Sequence, residues 1–111
     1  MRLYDVNGNL MLPDVRVAES FFKRARGLLF SRELGPGEGL LLRKCRSVHT
    51  VGMSFPIDVV FLDADGVVLA RRDDLGPWRF AGCSGACDTL ETASGNAEKL
   101  GLDVGIRAVF E

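Results

Sequence analysis

The chain has one histidine, one tryptophan and one tyrosine in 111 residues, so imidazole chemistry has a single address and must draw its partners from elsewhere in the fold. Cysteine is scarce too: three thiols leave one over from any disulfide framework, and the expectation is a reduced, cytoplasmic chain. An excess of charge of one sign is missing. Lysine and arginine number 14 against 15 aspartate and glutamate, a formal net charge of −1. Nucleic-acid binding driven by phosphate neutralisation draws on a large basic excess, so it is not expected here. No apolar run approaches a membrane span, because GLLL at 39–42 is broken at once by Arg43 and Lys44. The opening MRLYDVNGNLMLPDV lacks the basic head and apolar core of a secretion signal. Repeats, low-complexity tracts and linker-like stretches are absent, and residues 1–111 read as one domain. With 47% hydrophobic residues, that length can fill a core without metal or disulfide support.

What is present reads mostly as short strands. Residues 2–6 alternate and meet Asn7-Gly8, a strong hairpin signal, and a second strand is expected over 10–18 with Pro13 at a bulge or edge. Ser20 can cap a helix in which Phe21, Phe22, Ala25, Leu28 and Leu29 recur at helical spacing. After the loop ELGPGEG, residues 39–43 form a short buried strand. PIDVVFL is apolar on both faces and reads as a central strand, turned back at Asp65-Gly66 by a type I′ signature. Residues 78–81 and 87–92 suggest two strands around the turn Ser84-Gly85-Ala86. A short helix over 94–100 has Ser94 as candidate cap and Gly101 as candidate stop. A last strand closes the chain over 104–110. The expected class is α+β: a strongly curved, mainly antiparallel sheet or small β-barrel of about six to eight strands with two short helices.

RARGLLFSREL, then GLLL, then PIDVVFLDADGVV, and finally TLETASGNAEKLGLDVG occur in an order and spacing that resemble the uncharacterised family known as domain of unknown function 192. The resemblance covers about residues 15–109. It departs at one loop, where many members carry Trp-Met-Lys-Asn-Thr and this chain has a His-Thr variant, His49-Thr-Val-Gly-Met53. Many members also begin with a secretion signal. The resemblance implies the fold and points to that loop as the candidate site, but it implies no reaction, substrate or cofactor.

The candidate chemistry gathers in CRSVHTVGMSFP and GCSGACD. Cys45 and His49 lie four apart, as do Cys83 and Cys87, and residues i and i+4 share a face on a strand or a helix. Three cysteines and one histidine are a structural zinc set, so zinc is a possible cofactor with Cys45, His49, Cys83 and Cys87 as ligands. Against it, free cysteine commonly packs as a small hydrophobe. A catalyst would pair His49 with Asp58 or with a thiol such as Cys83, although Cys45 and His49 on one continuous strand stand roughly 13 Å apart. Asp58, a carboxylate inside an apolar strand, is read first as a loop clamp accepting main-chain N–H bonds. Glu91 could cap or anchor the last helix. Trp78 is expected to pack over the barrel mouth or cover an edge, whereas an exposed Trp78 would mark a binding surface. The leading expectation is a binding or accessory module taking a small ligand or peptide. Its pocket would lie beside His49, Thr50, Met53 and Asp58, where the VHTVGM loop, the start of the PID strand and the GCSGACD turn converge.

Overall fold

Pro13 does more than bulge the second arm of the N-terminal hairpin. Strand β1 (Leu3–Tyr4) pairs antiparallel with β2 (Leu10–Leu12) around Asn7-Gly8. Beyond Pro13 the chain leaves that sheet, and β3 (Asp14–Ala18) runs parallel to β4 (Glu38–Leu42), with Val15 opposite Gly39. A residue without an N–H to give a ladder is a natural dividing point. This structure, a computed structural model, describes residues 1–18 and 33–111; the helix expected over 20–29 lies outside the described residues.

The two hairpin turns form where expected but with a different backbone. Gly8 and Gly66 both take φ 83 while the residues before them stay in the ordinary region, and each glycine N–H returns to a carbonyl three residues back, Asp5 or Asp63, at 3.1 Å. A type I′ turn would need positive φ at both central residues; here one left-handed glycine closes an ordinary turn. Asp5 and Asp63 stabilise these turns by each accepting two main-chain N–H bonds on Oδ1.

The remaining elements are β5 (Ser47–His49), β6 (Ile57–Leu62), β7 (Val68–Leu75), β8 (Phe80–Gly82), β9 (Asp88–Ala93), helix α1 (Asn96–Lys99) and β10 (Val109–Phe110). Five strands make the main sheet in the order β3-β4-β9-β6-β7. All six residues of β6 are buried, because both faces of the sheet are covered. On the first face Leu40, Leu42, Val59 and Phe61 pack with Val48 and Ala81 of the β5–β8 ribbon and with Met53 and Phe55 of the intervening loop. On the second face Leu41, Val60, Leu62 and Leu90 pack with Leu3 and Leu12 of the β10-β1-β2 sheet and with Ala97 of α1.

Several expectations are corrected. The main sheet is open, ending at β3 and β7, and among the described residues no barrel closes. The β7 edge protects itself with the polar run Arg71–Asp74 and with Asp74 at φ 53. Strands β8 and β9 do not pair with each other: β8 joins β5, whereas β9 lies between β4 and β6. Helix α1 starts at Gly95 with no side-chain cap, and Ser94 Oγ donates instead to Asp74 Oδ1 at 2.6 Å. Gly101, at φ 70, ends the helix as expected. Among the described residues no helix is long and apolar enough to cross a membrane.

Candidate functional site

Alternation along β6 decides how much of the expected set can meet. Ile57, Val59 and Phe61 face the first cluster, so Asp58 shares the second face with Val60 and Leu62. There it is fully buried and clamped. Oδ1 accepts the N–H of Asp74 and Oδ2 the N–H of Ala97, both at 2.8 Å. It holds the left-handed turn of β7 and the first turn of α1, rather than the VHTVGM loop. His49 sits across the sheet, at the end of β5, so the two side chains belong to opposite layers.

The cysteines likewise do not meet the imidazole. Cys45 is buried in the first cluster, and its Sγ donates to the Ser47 carbonyl at 3.0 Å. Its N–H pairs with the Cys87 carbonyl at 2.9 Å, and the Cys83 N–H with the Arg46 carbonyl at 2.9 Å. His49 pairs with Phe80, three ladder steps from Cys83, roughly 10 Å at strand rise. Among the described residues no group of three or more His, Cys, Asp or Glu could hold a metal ion. Cys45, His49, Cys83 and Cys87 therefore do not form the four-ligand set that their spacing suggests: the ladder spreads them along the ribbon, and Cys45 and Cys83 pack against the core.

What does assemble beside His49 is an aromatic ridge with a rigid base. Pro77 and Trp78 occupy the centre of a turn between Gly76 and Arg79, and Trp78 takes φ 61, a conformation that this position normally reserves for glycine or asparagine. Thr50, fully buried, holds it there. Its Oγ1 donates to the Gly76 carbonyl at 2.6 Å and accepts the Arg79 N–H at 2.9 Å. The hydroxyl thus bridges the two ends of the turn. The Thr50 main chain adds an N–H bond to the Arg79 carbonyl and accepts the Trp78 N–H. Above this base Trp78 is 66% exposed and Phe80 77% exposed. The rings of Phe80 and His49 are 6.1 Å apart and tilted by 52°. His49 Nδ1 accepts the Val51 N–H at 3.2 Å, an arrangement that leaves Nε2 to carry the proton of the neutral ring. Met53 lies inside the core and anchors the loop. The sequence groups Thr50 with His49, but the packing role expected first for Trp78 does not hold, since its indole is mostly exposed, and Phe80 reads there only as part of a strand. The available signal was the segment GPWRF, a turn signature carrying two large aromatic residues.

Glu91 is the other unusual group. It stands on β9 between Leu40 and Val59, so it faces the first cluster and not the last helix. It is 1% exposed, neither carboxyl oxygen has a hydrogen-bond partner among the described residues, and burial pushes its pKa up to about 8. Burial thus favours its neutral, protonated form.

The model of the family DUF192, described as "Uncharacterized ACR", matches residues 4–110. The chain belongs to that family. A DUF192 relative, a UPF0127 protein of Thermococcus sibiricus, is 31% identical over 110 residues, covering 95% of this chain and 71% of its own. Two solved structures share the fold. A protein of unknown function from Novosphingobium aromaticivorans has a TM-score of 0.78 at 23% identity, covering 86% of this chain and 74% of that one. A putative transcription regulator from Sinorhizobium meliloti has a TM-score of 0.82 at 24% identity, covering 97% and 89%. DUF192 is uncharacterised as a family, so the relationship establishes ancestry and architecture and leaves the chemistry of this chain to its own residues.

Proposed function

We propose that the protein is a binding module that recognises an extended, acidic and partly apolar peptide segment of a partner protein through Trp78, Phe80 and His49, without covalent chemistry. The observation that carries this reading is the backbone of Trp78. A bulky residue held at positive φ costs about 1–3 kcal/mol, and the folded protein maintains that cost while leaving the indole mostly in solvent. Strain of this kind is consistent with a side chain prearranged for contact, since the buried Thr50 clamp removes the freedom that docking would otherwise have to remove. Tryptophan and arginine are enriched where binding energy concentrates, and Arg79 lies between the two aromatics. Both rings stand out from the ribbon, which suits a partner laid across them better than a small molecule enclosed in a cleft. Arg46 and Arg79, both exposed, favour acidic residues on the partner.

Trp78 is the only tryptophan, so its emission reports directly on the ridge. A library of peptides about a dozen residues long, each pairing aromatic with acidic residues, should contain members that shift this emission saturably. Phe80→Ala should weaken them about thirtyfold, the loss typical of an anchor residue. If no peptide moves the emission, or binding survives Phe80→Ala and Trp78→Ala undiminished, the ridge is not a recognition surface.

A further inference from the structure

At the other end of β6 from the ridge, a cleft of about 230 Å³ opens between the 63–67 hairpin turn, β10 and the start of β9. Its apolar lining comes from the half-buried Val109 and Phe110, with the buried Leu41 and Leu62 beside them, and its charged lining from Arg43, Asp65, Asp88 and Arg107. One wall is a close contact between the turn and the C-terminal segment. A Cβ on Gly66 would collide with the Ala108 carbonyl, and without one the turn seats directly against the C-terminal segment, where Ala108 N–H donates to the Gly66 carbonyl at 2.8 Å.

On this rim Arg107 and Asp65 carry opposite charges without forming a salt bridge to each other. Arg107 spends its Nε–H on the main-chain oxygen of Asp65 at 3.0 Å. That bond fixes the guanidinium over the turn and leaves its terminal nitrogens without a partner among the described residues, and the Asp65 carboxylate receives no bond there either. Asp88 gives Oδ1 to the Lys44 N–H, leaving Oδ2 for other donors. We propose that the cleft binds a small zwitterion with an apolar substituent, an α-amino acid whose aliphatic or aromatic side chain lies against the apolar lining. Its carboxylate would take the fork of Arg107, whose planar donors match two carboxylate oxygens. Its ammonium group would sit against Asp65 and the open oxygen of Asp88. The volume, below that of drug-sized sites, suits a molecule of about ten non-hydrogen atoms.

The probes are L-leucine and L-phenylalanine, titrated into the ¹⁵N-labelled protein while backbone amide resonances are followed. Saturable shifts are expected at Gly66, Arg107, Ala108 and Phe110, with none at Phe80. Removing either charge from the probe should weaken binding about tenfold or more, the loss of one charge-assisted contact: 4-methylpentanoate lacks the ammonium group and 3-methylbutylamine the carboxylate. Arg107→Gln and Asp65→Asn, both at exposed positions, should each weaken leucine binding similarly and leave the fold intact. The proposal is overturned if neither amino acid gives saturable shifts, if 4-methylpentanoate binds as well as leucine, or if both variants bind leucine like the parent.

Discussion

Two buried carboxyl groups stand on adjacent strands of one sheet and have opposite fates. Asp58 on β6 and Glu91 on β9 are both essentially inaccessible, and each lies opposite a neighbour of the other, Asp58 facing Thr92 and Glu91 facing Val59. Asp58 points to the face where a helix N-terminus and a strand turn present unpaired N–H groups, and each of its oxygens takes one. Glu91 points to the face where, among the described residues, strands and loop present hydrocarbon and no donor, and burial raises its pKa to about 8. Burial depth does not set the role of an acidic side chain. The donors within reach do.

The largest effect should come from dismantling the satisfied side. Asp58→Ala strands two main-chain N–H groups in the interior and should destabilise the protein by about 4 kcal/mol in denaturant unfolding. Asp58→Asn, which retains one acceptor, should cost roughly half as much. Equal losses for the two variants would mean that charge, and not the pair of bonds, is what the site requires.

The orphan side should respond to pH. The folded-state pKa of Glu91 is raised above its ordinary 4.5 to about 8, so folding favours the protonated form. That contribution is complete below about pH 4.5 and is lost as pH rises through 8, because the native state holds the proton that the unfolded chain releases. Stability should therefore fall by roughly 3 kcal/mol between pH 5 and 8. Glu91→Gln, which cannot ionise, should flatten this profile; an unchanged slope in the variant would place the titration elsewhere.

Thr50 tests whether the first face tolerates buried polarity when donors and acceptors are supplied. Thr50→Val keeps the shape but strands the Gly76 carbonyl and the Arg79 N–H, at a cost of about 2 kcal/mol by thermal unfolding. A neutral result would mean that water reaches the turn. The smallest effect carries the opposite sign. Trp78→Gly removes a side chain from a left-handed position and should stabilise the fold by about 1 kcal/mol, while abolishing the peptide binding proposed for the ridge. Loss of stability would show that the indole packs more than its exposure indicates.

Much of the local structure was legible in the sequence. The apolar run of β6, interrupted only by Asp58, announced a strand covered on both faces, Asn7-Gly8 and Asp65-Gly66 marked the hairpins, and Gly101 marked a helix end. The motifs shared with DUF192 held over nearly the whole chain. Reading Asp58 as a clamp named its role but not its partners, which lie 16 and 39 residues away. The same distance defeated the zinc set. Equal spacing within Cys45/His49 and Cys83/Cys87 describes each pair and says nothing of how a ladder between β5 and β8 offsets one against the other. Strands β8 and β9 look like a hairpin because only a short turn separates them, yet β8 pairs with β5 and β9 inserts between β4 and β6.

By itself the sequence determined where strands begin and turn, because alternation, glycine φ and proline's missing N–H act within a few residues. It also determined membership of the family. Only the tertiary structure decided which strands share a sheet, which of two buried acids is satisfied, and that Thr50 holds Trp78 outward. Those outcomes depend on donors and acceptors delivered from distant segments, and a carboxyl group or a hydroxyl carries no local record of what the folded chain will place against it.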